Sequence, residues 1–199
     1  ETAKPRPGTL FTVPARDMHE ERAERRHSIA ERCEAAAARL MQHDCGVAWC
    51  HLNAEADLLE NLIPGAVNLS GSDSDDEKEE KFHAFKSGQI KYLVTKPKIA
   101  ALGVNWQHCA ACTYFDDYSY EQYYQAVRRF WRFGQKRPVT VHQIGTTSLS
   151  NVAKSRKRKA EAADKMFQSM MEHMLAATKH RRIFTETTPV AAPRWMEAV

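Results

Sequence analysis

The sequence lacks any long apolar run. No stretch approaches the roughly 18 consecutive apolar residues that span a bilayer, so we expect a soluble protein with no membrane partner. The opening residues 1–14 also lack the apolar core and small-residue cleavage site of a signal peptide. Because the chain begins with Glu1 and not with Met, we interpret it as a piece cut from a longer polypeptide or as a processed chain.

Two motifs of nucleotide-hydrolysing proteins are also absent. The sequence contains no Gly-x-x-x-x-Gly-Lys-Ser/Thr loop, and no predicted strand ends in an Asp-Glu pair of the Walker B kind. The chain therefore has no phosphate cradle and no magnesium ligands of its own. We expect that it does not hydrolyse ATP alone.

Cysteines are few and poorly spaced for a metal site. Five cysteines without a signal sequence indicate a reducing cytoplasm better than a disulfide framework. Cys109 and Cys112 form one Cys-x-x-Cys, but no second such pair and no His-x-x-x-His is present to complete a zinc site. Small buried thiols are the simpler interpretation, and we predict no bound metal.

Five short apolar runs alternate with helical patterns. The runs lie at 46–52, 66–69, 90–95, 111–115 and 138–144, and the first is followed by Asn53, a good helix N-cap. Parallel neighbours need a crossover helix between them. The order predicts an α/β fold, a parallel sheet covered by helices on both faces, with flanking helices.

Capping patterns mark where two of the helices begin. Ser74 and Glu77 form a capping box after the second strand. Ser119 and Gln122 form another after the fourth strand, and the helix that they open is expected to run to 133–134. This last helix would contain Arg128, Arg129 and Arg132.

The chain divides by composition into three parts. Residues 1–45 are an N-terminal extension with one amphipathic helix at 16–41, residues 46–147 are the core domain, and residues 148–199 are a basic helical tail with a loosely ordered end. A net charge of +4 suits a polyanionic partner without requiring one. The candidates for phosphate contact in the tail are Lys154, Arg156, Lys157 and Arg158. A solvated helix start is the alternative.

Residues 120–135 contain the largest group of candidate functional side chains. At about 100° per residue, one helix face presents a glutamine and three arginines, while aromatic and apolar side chains take the opposite face. The polar face consists of Gln125, Arg128, Arg129 and Arg132, and the apolar face of Tyr123, Val127 and Phe130. Guanidiniums without a carboxylate on their face repel one another unless an outside anion lies among them. A phosphate would serve; a solvated surface helix is the alternative.

The same segment reads Gln-x-x-Arg-Arg-x-x-Arg-x-Gly-Gln, which resembles motif VI of superfamily-two helicases, particularly the Swi/Snf-like group and the phage and prophage DNA helicases. The resemblance covers residues 47–144 and implies a C-terminal RecA-like domain of the P-loop NTPase type. It implies that Gln125 and Arg129 line the nucleotide cleft and that Arg132 is an arginine finger. Arg128 stands where the family more often has Gly, and we include it among the nucleotide-binding residues.

Residues 93–107 resemble motif V of the same family. By that resemblance Gly103 allows close backbone approach and Asn105 lies where the nucleotide and nucleic-acid sites meet. Contacts to the strand backbone are expected from Thr95, Lys96 and Lys98. The Ser70-Gly71 turn is similar to a phosphate-holding turn of the family, and Trp106 is a candidate for base stacking.

The resemblance also implies cofactors and partners. ATP and Mg²⁺ would be held mainly by a missing N-terminal RecA-like domain, in the same or another chain. The partner would be a nucleic acid, with DNA favoured over RNA, in the cytoplasm of a bacterial or phage-infected cell. The expected function is the C-terminal half of an ATP-dependent helicase or translocase. The alternative is a stand-alone RecA-like module that binds nucleic acid without ATPase activity.

Overall fold

A computed structural model describes residues 18–100, 104–147 and 150–181. Within these residues five strands alternate with helices, as the sequence predicts. The strands are β1 (Gly46–Trp49), β2 (Ala66–Leu69), β3 (Tyr92–Thr95), β4 (Ala111–Phe115) and β5 (Thr140–Ile144). The helices are α1 (Met18–His27), α2 (Ile29–Leu40), α3 (Asn53–Leu62), α4 (Asp75–Lys86), α5 (Pro97–Ala100), α6 (Tyr120–Val127) and α7 (Ser150–Arg181).

All five strands form one parallel sheet in the order β2-β3-β1-β4-β5. β1 is central: its Val47 pairs with Leu93 on one side and with Cys112 on the other. Because every strand runs the same way, all carboxyl ends meet at one edge of the sheet and all amino ends at the other. The predicted fold class is confirmed.

Both faces of the sheet are buried, so its central strands consist mainly of apolar residues. Side chains along a strand alternate between faces. Trp49 of β1 enters a cluster with residues of α4, α6 and the segment after α5, whereas Ala48 enters a second cluster with α2 and α3. The helices thus lie on both sides, which makes β1 and β4 fully buried along their length.

The amphipathic helix predicted at 16–41 is two helices within its described part, with a break at Ser28. The Ser28 hydroxyl donates to the Glu24 carbonyl at 2.8 Å and accepts from Arg32 Nε at 3.1 Å. Such side-chain bonds to the preceding turn compete with the helical backbone. α2 packs on the sheet through fully buried Cys33 and Leu40, so part of the predicted extension belongs to the core.

Element ends differ from the prediction by a few residues. β1 stops at Trp49, and β3 and β5 each begin two residues late. The N-cap of α3 is Leu52 and not Asn53, because the Glu55 carboxylate accepts from the backbone N–H of His51 at 2.9 Å and of Leu52 at 3.0 Å. The capping box of Ser74 and Glu77 is confirmed at the start of α4.

The chain divides into two compact units, residues 1–159 and 160–199. The first holds the sheet and the opening turns of α7. The described part of the second is the helical stretch 160–181, whose side chains from 164 to 177 are exposed. None of the described helices combines the length and apolar character needed to cross a membrane.

Candidate nucleotide and nucleic-acid site

The arginine-bearing segment leaves the helix early. α6 ends at Val127, with Arg128 as its C-cap, so the predicted continuation to 133–134 is wrong. The Arg129 carbonyl, which would continue the helical ladder, instead accepts the backbone N–H of Trp106 at 3.0 Å. The single helix face predicted for the three arginines therefore does not form, and Arg129 and Phe130 are both buried.

Arg129 is the buried arginine of the segment. It is 8% exposed, its guanidinium donates to the Val104 carbonyl oxygen at 3.3 Å, and its buried Nε has no hydrogen-bond partner among the described residues. No ion pair joins it to a carboxylate in the part of the chain that the structure describes. Burial, and secondarily Arg132, lower the pKa of Arg129. Arg129 is therefore a buried cation with one donor, Nε, that no described residue uses.

Two segments that the sequence analysis assigned to different motifs are held together here. Gln135 Nε2 donates to the carbonyl oxygens of Gln107, Phe130 and Cys109 at 3.0, 3.2 and 3.3 Å. Gln107 Nε2 in turn donates to the Phe133 carbonyl oxygen at 2.6 Å. The loop before β4 and the arginine segment therefore form one platform. Gly134 allows the turn because its φ is +93°.

The remaining predicted nucleotide-site residues lie on the surface of this platform. Gln125, Arg128, Arg132 and Asn105 are exposed. Arg128 lies over the rings of Tyr124 and Trp131, 5.9 and 5.3 Å from their centroids. Asn105 Nδ2 donates to Gln107 Oε1 at 3.2 Å. Gly103 lies outside the described residues.

A second group of predicted residues lies at the carboxyl edge of β1, β2 and β3. A cavity of about 230 Å³ is lined there by Asn53, Ser70 and Lys96, among others, and Gly71 and Lys98 are exposed beside it in the chain. Lys96 Nζ donates to Asn53 Oδ1, and Ser70 Oγ lies 2.9 Å from Ser72 Oγ. This edge brings together the Asn53 amide, serine hydroxyls and lysines from the segments that follow β1, β2 and β3, and the Asp57 carboxylate also lines the cavity.

Two of the predicted nucleic-acid contacts are corrected by burial. Thr95 is fully buried, and its hydroxyl donates to the Leu69 carbonyl oxygen at 3.1 Å, so it ties β3 to β2. Trp106 is 1% exposed and packs against Trp49, Phe82, Phe85 and Phe130, with ring centroids 5.4 to 6.0 Å apart. A ring inside the core is not accessible to a base, so the stacking prediction is wrong.

The basic residues of α7 differ in exposure. Lys154, Lys157 and Arg158 are exposed, but Arg156 is 4% exposed and pairs with Asp116 at 2.7 Å and with Gln143 Oε1 at 2.7 Å. Its guanidinium also lies 4.8 Å from the centroid of the Tyr123 ring. Arg156 therefore attaches α7 to the strand ends and to α6, and the prediction that it contacts nucleic acid is wrong.

Sequence reasoning missed several exposed or connecting residues. Trp131 is 58% exposed and Phe133 is fully exposed, and they lie on either side of Arg132 in the chain. Gln107 joins the two segments of the platform. Gln135 belongs to the quoted motif and could have been found from it, whereas the role of Gln107 follows only from the fold.

Comparison with known proteins agrees with this architecture. Residues 36–134 match the family described as helicase conserved C-terminal domain. No curated protein matches the chain. The C-terminal part of the Fun30 ATPase domain is similar in fold, with a TM-score of 0.54 and 14% identity over 64% of this chain and 43% of that chain. This chain thus spans less than half of the Fun30 structure.

Two structures of the protein Dbp5 are similar as well. The S. cerevisiae Dbp5 C-terminal domain bound to Gle1 and IP6 gives a TM-score of 0.57 and 14% identity over 67% of this chain and 80% of that chain. The C-terminal domain of the DEAD-box protein Dbp5 gives 0.54 and 16% over 65% and 78%. At this identity the likeness shows the fold. Residues 36–134 form a helicase conserved C-terminal domain, and the described sheet has the RecA-like fold of such domains.

Proposed function

We propose that this domain is the C-terminal half of an ATP-dependent helicase or translocase, and that it supplies Arg129 and Arg132 to ATP bound on an N-terminal RecA-like domain. One observation carries the proposal. The Arg129 guanidinium is buried, its Nε lacks a hydrogen-bond partner in the described chain, and Arg132 follows three residues later. The arrangement fits a phosphate group delivered from outside.

The energetics support this interpretation. A buried charge left without a partner typically costs several kcal/mol, which a folded domain does not retain without compensation. A planar guanidinium matches phosphate oxygens through two parallel N–H bonds, which lysine cannot reproduce. The proposed ligand would therefore both neutralise Arg129 and use the donor that the domain leaves unpaired.

The two arginines are suited to different tasks. The Val104 carbonyl holds Arg129 in a fixed position, so this residue can orient a phosphate. Arg132 is exposed on the surface and can reach toward a second domain. Magnesium-bound ATP would supply the phosphoryl group that is transferred to water. An arginine provided from outside the nucleotide domain typically raises such rates by about 10³ to 10⁵.

We propose further that the carboxyl edge of β1, β2 and β3 binds the nucleic-acid backbone. Ser70, Gly71, Lys96 and Lys98 are the contacts, and exposed Lys154, Lys157 and Arg158 add charge to the same unit. Hydroxyls, amides and lysines at a sheet edge suit phosphate contacts, which do not read sequence. DNA is the expected polymer because the arginine segment resembles motif VI of phage-type DNA helicases. The odd cysteine count supports a reducing cytoplasm.

Salt dependence tests the nucleic-acid edge. Each lost phosphate contact should reduce the slope of log K against log salt by about 0.7 to 0.9. We expect Lys96→Ala and Lys98→Ala each to produce this change in fluorescence-anisotropy titrations with single-stranded DNA and with RNA of the same length. Lys91→Ala is the matched control. Lys91 is exposed and directly precedes β3, whereas Lys96 directly follows β3 at the opposite edge of the sheet. Equal slopes for all three variants would remove this edge from the interface.

Nucleotide-dependent association tests the proposed cleft. We expect this chain to bind a Walker-loop RecA-like partner at least about tenfold more tightly with a non-hydrolysable ATP analogue than with no nucleotide, measured by calorimetry. Arg129→Ala should remove the difference. If the affinity is the same in every nucleotide state while nucleic acid still binds, the chain is a binding module without an ATP cycle.

A further inference from the structure

Two thiols lie together at the amino edge of the sheet, opposite the proposed nucleic-acid edge. Cys45 directly precedes β1, and Cys109 lies two residues before β4, the neighbouring strand. Both cysteines are free, and Cys45 packs against the buried cluster that contains Cys109. The Cys45 sulfur also lies 3.8 Å from the His108 carbonyl oxygen, and the Cys109 sulfur 3.7 Å from the Ala111 carbonyl oxygen.

The two thiols differ in access. Cys45 is half-buried and lines a cavity of about 350 Å³ together with Arg137 and Pro138. Cys109 is fully buried behind it. The neighbouring Cys109 side chain, with help from Arg137, lowers the pKa of Cys45 to about 7 against the opposing effects of burial and Asp44. The Cys45 side chain and burial raise the pKa of Cys109.

The other three cysteines are expected to be unreactive toward oxidants. Burial raises the pKa of Cys33, Cys50 and Cys112 to about 12 in each case. A thiol, unlike a thiolate, is a poor nucleophile. Cys45 is therefore the one cysteine of the five that combines partial exposure with a lowered pKa, and Cys109 is its buried neighbour.

We propose that Cys45 and Cys109 form a peroxide-sensitive dithiol, in which Cys45 reacts with a small peroxide and Cys109 closes the product into a disulfide. The Cys45 thiolate attacks one peroxide oxygen, the O–O bond breaks, and the other oxygen leaves as hydroxide or alkoxide. The Cys109 sulfur then attacks the resulting sulfenic sulfur, and its proton leaves with the sulfenic hydroxyl as water. Two thiols lose two electrons in total, and one peroxide is reduced.

The disulfide would act on the loop that carries the arginine platform. The Cys109 carbonyl accepts from Gln135 Nε2, and the Cys109 N–H donates to the Trp106 carbonyl at 3.0 Å. The same loop supplies the Val104 carbonyl that holds Arg129. Oxidation would therefore fix this loop to the start of β1. Any effect on ATP hydrolysis depends on the proposed function, but formation of the disulfide does not.

The test uses the reduced 199-residue chain and one equivalent of hydrogen peroxide, with remaining thiols counted by mass after maleimide labelling under denaturing conditions. We expect two of the five thiols to be lost. Cys45→Ser should abolish the loss. In Cys109→Ala the reaction should stop at a sulfenic acid on Cys45, which dimedone traps. Cys50→Ala and Cys112→Ala are the matched controls and should still lose two thiols.

These controls also make the assignment independent of the folding of Cys109→Ala. Trypsin leaves Cys45 with Cys50 in one peptide and Cys109 with Cys112 in another. In the double variant Cys50→Ala, Cys112→Ala, a crosslink between those peptides can join only Cys45 and Cys109. The rate of the first step should rise about tenfold from pH 6 to pH 8, against about a hundredfold for an unperturbed thiol. Five unreacted thiols, or a crosslink lost in the double variant, would overturn the proposal.

Discussion

Replacing Arg132 by alanine is expected to lower the nucleic-acid-stimulated ATPase rate of the two reconstituted RecA-like domains by about 10³- to 10⁵-fold. In the proposed function the exposed guanidinium of Arg132 would reach across the cleft between the two domains, where its charge would act on the negative charge that develops in the transition state. Steady-state kinetics with saturating nucleic acid measure the effect. The loss should lie mainly in kcat.

Two further variants make this prediction specific. Arg132→Lys should recover little of the rate, because lysine keeps the charge but lacks the planar fork. Lys136→Ala is the matched control, since Lys136 is exposed in the same segment of the chain and should leave the rate within about twofold. An Arg132→Ala rate within a few-fold of the unmodified chain would show that Arg132 is not an arginine finger.

Arg129 allows the roles of stability and function to be separated. Because its buried charge lacks a carboxylate among the described residues, Arg129→Met should not lower the free energy of unfolding of the isolated chain. The same variant should abolish stimulation of the ATPase. A variant that keeps its stability but loses its activity would indicate that Arg129 serves to bind a ligand. A variant that unfolds would indicate a structural role for Arg129.

Removing the carboxylate of Glu55 is expected to lower the free energy of unfolding by about 3 to 5 kcal/mol. Glu55 is 1% exposed and pairs with buried Arg32 at 2.7 Å. Its other oxygen caps α3, and the Arg32 guanidinium lies 4.9 Å from the centroid of the Phe115 ring. Glu55→Ala therefore leaves a buried cation without its partner and a helix end without its cap. Urea titration followed by circular dichroism measures the change.

An exposed ion pair provides the comparison. Asp75 is fully exposed and pairs with Lys78 at 3.3 Å, so Asp75→Asn should leave the free energy of unfolding almost unchanged. The double variant Arg32→Met, Glu55→Met should recover part of the loss, because it removes both charges together. A cost below about 1 kcal/mol for Glu55→Ala would show that this ion pair does not hold α2 and α3 against the sheet.

Local signals were enough to predict the sheet. β2 and β4 have the predicted limits because Pro64-Gly65 precedes one and an acidic turn follows the other. The capping box at Ser74 is a contact between residues three apart, so the sequence contains all of it. Parallel pairing followed from the alternation of strands with helices.

The end of α6 and the burial of Trp106 and Arg156 were predicted wrongly, because they depend on contacts between residues far apart in the sequence. The helical period continues past Val127, but the backbone of Arg129 pairs with Trp106, 23 positions earlier in the chain. Nothing near Trp106 in the sequence distinguishes a buried ring from an exposed one. The basic run likewise gave no sign that Arg156 would pair with Asp116, 40 positions away. Burial depends on what the rest of the fold brings near, which periodicity does not encode.

The measurement that tests the central claim most directly is the ATPase rate of the partner RecA-like domain with and without this chain, in the presence of nucleic acid. The proposed function predicts that neither component hydrolyses ATP appreciably alone and that together they do so at least about 10³-fold faster, in proportion to the complex formed. An unchanged rate at concentrations where the two domains are shown to associate would contradict it.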